Sequence, residues 1–195
     1  MADTAAATAR EGITMLTVEE ARAVGDRHGV TGWYVEQPVW RVYLGRPKYA
    51  KALYDVLTDL RFRTCLDARS FELVVMRLAW RRGSAFEWAQ HWRIAVEAGV
   101  PAEHLAALRD PREGAAVFDE RDHALLDAVD EIDGTGDVTD ATWARLVDHL
   151  TEPELYELVA VVGTYTLVDV MTRCLRVPID EGLALWPPDG RTPPA

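Results

Sequence analysis

Cysteine is scarce in this sequence: Cys65 and Cys174 are its only two. Neither belongs to a Cys-x-x-Cys, which excludes a dithiol redox motif and a metal site built on cysteine. Two reduced thiols in a reducing compartment are the expectation. Long apolar runs are missing as well, so no membrane span is read. The opening MADTAAATAR has no basic start followed by an apolar stretch. No signal peptide is read there, and a cytoplasmic location is expected. Positive charge is in deficit, with a net charge of -11. That argues against nucleic acid or an anionic membrane as partner, since both need clustered Lys and Arg. Short basic groups such as Arg61 with Arg63, or Arg81 with Arg82, have acidic neighbours and read as solvated helix faces. A P-loop, a dinucleotide GxGxxG, HExxH, GxSxG and an EF-hand loop are all absent. His28, His104, His123 and His149 lie on separate segments with no metal-ligand spacing. Neither a metal nor a cofactor is expected.

What is present is helical. Apolar residues make up 49% and charged residues 27% of 195 residues, which suits one globular domain. The expected limits are a disordered tail over 1–14, a domain over 15–181 and a flexible tail over 182–195. Thr17-x-x-Glu20 reads as a capping box, and Gly29 as the stop of the helix it opens. GVTGWYVEQPVW reads as a loop or arm that can cover a pocket or a neighbouring subunit. Pro47 opens a helix to about Leu60, and Asp67 precedes the most apolar segment of the first half, FELVVMRLAW. Gly83 breaks that segment and SAFEWAQHWRIAVEA follows it, ending at Gly99. Three further segments, ERDHALLDAVDEI, ATWARLVDHL and EPELYELVAVVGTYTLVDVMTRCL, complete an all-α bundle of about seven or eight helices. DGTGDVTD between the first two reads as a turn-rich break. Glu72-Leu-Val-Val and Glu157-Leu-Val-Ala, with Trp80 and Tyr165 at equal offsets, form a faint internal echo.

Chemistry concentrates in Glu72 to Gly99. Ser84, Glu87, Trp88, His91 and Ala95 follow the 3–4 spacing of one helix face. Glu87 and His91, four residues apart, can pair, which raises the imidazole pKa and orients the ring. Glu72 stands on an otherwise apolar helix, where a carboxylate must be terminal, paired or turned to a pocket. Each residue also has a plain structural account. Ser84-x-x-Glu87 is a capping box, a Glu–His pair is common on helices, and Glu72 suits a first turn.

The segment RTCLDARSFELVVMRLAWRRGSAFEWAQHWRIAVEAGV resembles the core of carboxymuconolactone decarboxylase and alkylhydroperoxidase-D-like proteins. The later ERDHALLDAVDEI, VTDATWARL and LVAVVGTYTLVDVMTRCLRVPID resemble its Cys-lacking members, so the likeness spans about residues 35–181. In the peroxidase branch a Glu is followed by Cys-x-x-Cys and then a His. Glu72 and His91 take the Glu and His positions, while Ser84 and Glu87 stand where the cysteines would be. The resemblance implies the AhpD-like helical fold and a homo-oligomer, whether dimer, trimer or hexamer. It also implies a small-molecule substrate. Peroxide reduction needs a low-pKa thiolate and a resolving thiol, which Ser84 and Glu87 cannot supply. The decarboxylase branch implies proton transfer instead: a lyase or isomerase with His91 as shuttle, Glu87 as its orienting partner and Glu72 as a second acid or base. Trp80, Ser84, Trp88 and Tyr165 are the expected substrate-binding residues, and Arg69, Arg77 and Arg81 can hold a carboxylate. The alternatives are a binding or accessory helical oligomer, and a residual peroxidase acting through Cys65.

Overall fold

The computed structural model describes residues 12–112 and 114–193. Among them are nine α-helices and no strands: α1 Val18–His28, α2 Pro38–Tyr43, α3 Pro47–Phe62, α4 Ala68–Arg82, α5 Ala85–Glu97, α6 Ala102–Ala107, α7 Glu120–Thr135, α8 Asp140–His149 and α9 Glu152–Cys174. Most boundaries follow from capping chemistry. Thr17 and Glu20 form a reciprocal capping box, and Gly29 closes α1 in the left-handed conformation. The Asp67 side chain accepts the Ser70 N–H at the start of α4, and Gly83 ends that helix with φ 64°. Reciprocal boxes also open α7 at Asp119 and α9 at Thr151.

Helix α4 is the centre of the molecule, packed against α5, α7 and α9. Its run from Ser70 to Trp80 is buried throughout, as expected of a helix apolar on every side. One face enters a core with α7, α8 and α9 through Val74, Val75, Leu78, Leu125, Val129 and Leu158. The opposite face, with Leu73, Met76 and Trp80, meets Trp88 of α5 and Leu105 of α6. A third cluster joins α1, α2 and α3 to Phe86 and Val168.

Three differences from the sequence reading have physical causes. GVTGWYVEQPVW is ordered: a 3₁₀ turn over Gly32–Glu36 leads into α2, whose Trp40, Val42 and Tyr43 are buried. Helix α7 runs one turn further than expected, through Thr135, where Asp133 is held by Arg81 and Arg82 of α4. One helix, α9, is long and apolar enough by length and composition to cross a membrane, although no such run was expected. Its Leu155, Leu158, Val161 and Val162 lie in the core.

The expected N-terminal tail falls mostly outside the described residues. At the other end, the segment expected as a flexible tail lies against α4 and α5. Trp186 meets Trp80 and Trp88 at centroid distances of 5.8 and 6.2 Å. The Pro187 carbonyl accepts hydrogen bonds from Trp88 Nε1 at 2.8 Å and Arg109 at 3.1 Å.

Candidate functional site

Helices α4 and α5 bring Glu72, Glu87 and His91 together inside the protein. His91 Nδ1 lies 2.8 Å from Glu72 Oε2, and its Nε2 lies 3.5 Å from Glu87 Oε2. All three are nearly buried, at 4–5% exposure, so the contacts are poorly screened. The close contact to the ring comes from Glu72 rather than from the i,i+4 neighbour Glu87. Glu72, from the neighbouring helix, makes the close hydrogen bond that orients the ring. Glu87, on the same helix, stands at the other nitrogen.

The carboxylate of Glu87 faces His91 rather than completing a capping box. Ser84 accepts the Glu87 N–H at 3.5 Å and starts the helix, with no return bond from the Glu87 side chain. Glu87 Oε1 is buried and has no hydrogen-bond partner among the described residues. Burial pushes the Glu87 pKa up to about 7; His91 opposes this, while Asp169 and Glu72 add to it. For His91 burial alone acts downward, but the Glu72 charge and hydrogen bond, with Glu87, outweigh it and raise the pKa.

Glu87 and His91 line a cleft of about 120 Å³. Its walls are largely aromatic: Trp33 and Tyr34 from the 3₁₀ turn, Trp40 and Tyr43 from α2, Phe86 from α5 and Tyr165 from α9. Tyr165 stands edge-on to His91 with ring centroids 5.1 Å apart, and burial raises its pKa. Glu72 lies behind the imidazole, bordering a second concavity with Arg61, Thr64 and Phe71. Arg61 lines both hollows and sits 3.8 Å from Glu72.

Of the expected substrate-binding residues, only Tyr165 reaches this cleft. Trp80 and Trp88 pack together on the far side of α5, with Trp186 and the Arg109 guanidinium 5.1 and 5.6 Å from their rings. Trp88 follows Glu87 directly, and one residue turns a helical side chain by about 100°, far enough to leave the Glu87 face. Ser84 is fully buried in its capping role. Arg69, Arg77 and Arg81 are engaged by Asp122, Asp130 and Asp133 of α7. Cys65 and Cys174 are exposed and line no part of the cleft. Among the described residues, no group of three or more His, Cys, Asp or Glu is placed to hold a metal ion.

Sequence reasoning missed Tyr43 and Arg61. Arg61 looked like a surface charge, and Tyr43 lies between the segment read as a loop or arm, which ends at Trp40, and the helix opened by Pro47. The aromatic richness of Trp33 to Trp40 was the available signal.

Residues 47–131 match the carboxymuconolactone decarboxylase family. That stretch contains Glu72, Glu87 and His91, whereas Tyr165 lies beyond it. No curated protein matches the chain. The fold is similar to that of a peroxidase-related protein with an alkylhydroperoxidase AhpD core from Ralstonia eutropha, at TM-score 0.67, 16% identity and 84% coverage of both chains. A protein of unknown function from Agrobacterium tumefaciens is similar at TM-score 0.64 and 22% identity, over 70% of this chain and 93% of that one. The debrominase Bmp8, solved in complex with 2,3,4-tribromopyrrole, is similar at TM-score 0.69 and 12% identity, over 88% and 95%. At these identities the likeness establishes the AhpD-like helical fold.

Proposed function

We propose that this protein is a cofactor-independent acid–base enzyme, a decarboxylase, isomerase or other lyase, acting on a small carbonyl- or carboxylate-bearing compound or lactone. The observation that carries the reading is a buried imidazole bracketed by two buried carboxylates at the wall of a cleft. Glu72 holds Nδ1, which fixes the ring and presents Nε2 to Glu87. A carboxyl group with a pKa of about 7 both takes and gives protons near neutral pH. The aromatic walls give those protons a largely apolar setting. Ser84 and Glu87 occupy the positions where the peroxidase branch carries its thiols, which favours proton transfer over thiol chemistry.

Deuterium exchange reads the proposed step without requiring the natural substrate. Small ring ketones, keto acids and lactones would be incubated with the protein in D2O at pD 7 and followed by NMR. Exchange at carbon adjacent to the carbonyl is expected above the buffer rate. His91→Ala should reduce it by about 10²–10⁴-fold, the usual worth of a positioned acid–base group. Equal exchange by His91→Ala and the parent protein would sink the mechanism.

A further inference from the structure

Two polar atoms at the aromatic cleft are buried without a hydrogen-bond partner among the described residues: the Tyr43 hydroxyl and Glu87 Oε1. Buried polar groups are ordinarily satisfied, and leaving one orphaned costs about 1–3 kcal/mol. Both line the same hollow, Tyr43 from α2 and Glu87 from α5. A ligand group that both accepts and donates a hydrogen bond would satisfy the pair. A hydroxyl does this with a single oxygen: it accepts from Tyr43 and donates to Glu87.

Size and walls define the rest of the ligand. An apolar cavity of roughly 150 Å³ takes up benzene, so a cleft of about 120 Å³ suits one ring with small substituents. Phe86 and Tyr165 are among the aromatic rings that can meet a flat ligand by stacked or edge contacts.

Charge disfavours an anion. Arg61 is the guanidinium at the cleft, and it faces Glu72 and the Phe62 ring. His91 is engaged by Glu72 and Glu87. Among the described residues both cations at the cleft stand against carboxylates, and a ligand carboxylate would meet Glu72 and Glu87 as well.

We propose that the cleft binds an uncharged, single-ring compound bearing a ring hydroxyl, with Tyr43 donating to the hydroxyl oxygen and Glu87 accepting its proton. The assignment rests on the acid–base reading and narrows it to uncharged carbonyl-bearing substrates, since a ring enol is the tautomer of a ring carbonyl. Its geometry stands independently of turnover.

The test is binding of a matched trio (phenol, benzoate and toluene) to the full chain, by calorimetry at pH 8, where Glu87 is ionised and phenol is not. Phenol should bind about tenfold more tightly than toluene, the worth of one net hydrogen bond, and benzoate at least tenfold more weakly than phenol. Tyr43→Phe, checked for an unchanged melting temperature, should bring phenol down to the toluene level and leave toluene as it was. Benzoate binding as tightly as phenol would overturn the proposal. So would phenol affinity unchanged in Tyr43→Phe, or no binding of phenol at all. If Tyr43→Phe melts lower, parent-protein selectivity among the three compounds decides alone. Phenol binding without deuterium exchange would retain this site and remove the acid–base reading. Exchange without phenol binding would do the reverse.

Discussion

Glu87 carries an unfavourable charge inside the protein, and pH should expose it. Its pKa moves from the usual 4.5 to about 7 on folding. Below pH 4.5 the carboxyl group is neutral in both states. As pH rises from there to 7 the unfolded chain ionises first, so folding stability falls across that window. The loss is on the order of 3 kcal/mol by the worth of a pKa unit. Glu87→Gln cannot ionise and should escape this loss. Its melting temperature should gain on the parent by roughly 2–4 °C per kcal/mol, a difference that opens between pH 4.5 and 7. A difference that stays constant with pH would show that Glu87 ionises in the folded protein as it does in the unfolded chain. The Glu87→Gln protein should also lose deuterium exchange, because Gln can neither take nor give the proton.

The same residue shows how much of the site the sequence disclosed. Glu87 and His91 were legible because four-residue spacing on a helix is local geometry. Glu72 was legible as a carboxylate on an apolar helix. Tyr43 and Arg61 were not, because their approach to Glu87 and Glu72 depends on how α2 and α3 pack against α4 and α5. No local pattern encodes that packing. Trp80 and Trp88 were misplaced for a related reason: periodicity says which residues share a helix face but not what each face meets.

At the scale of the element, helix ends were read well wherever a cap defines them, as at Thr17, Asp67, Gly83 and Asp119. Elements set by distant partners were read poorly. The last turn of α7 depends on arginines of α4, and α2 is too short to carry a periodic signal. Helix α1 offers a test of how the aromatic arm is held. A methyl group at Gly25 would come within 2.3 Å of the Val30 carbonyl oxygen and 2.8 Å of Val35. The former is backbone and cannot rotate away. Gly25→Ala should therefore cost about 1–3 kcal/mol, in the range of an overpacked core, measured by denaturant unfolding. Val35 belongs to the 3₁₀ turn that carries Trp33 and Tyr34 to the cleft, so phenol affinity should fall too. Loss of stability with intact phenol binding would show that the arm does not shape the site.

At the scale of the molecule, Arg82 is a joint. From α4 it bonds Asp133 of α7 at 2.8 Å and Asp169 of α9 at 2.8 Å. Asp169 is 2% exposed, and its other cationic neighbour, Arg173, lies at 3.7 Å. Arg82→Ala would leave a buried carboxylate poorly compensated, at a cost of about 3 kcal/mol, read as a lower denaturation midpoint. It should also act at a distance. The Asp169 charge helps to raise the Glu87 pKa, so removing its counter-ion should move the Glu87 titration higher still. A Glu87 titration unmoved in Arg82→Ala, followed by NMR, would separate the scaffold from the site.

The placement of tryptophan divides the protein optically. Trp33 and Trp40 border the cleft, whereas Trp80, Trp88, Trp92 and Trp186 form a separate cluster across α5. A ring compound entering the cleft would contact the first pair and leave the second group untouched. Emission from these six indoles thus carries two signals, over a background from half-exposed Trp143 on α8. One reports occupancy, and the other reports whether the C-terminal segment is seated over Trp88. Replacing Trp186 by Phe would silence part of the second signal without altering the first. The protein can in this way report binding and local unfolding in a single spectrum, without any attached label.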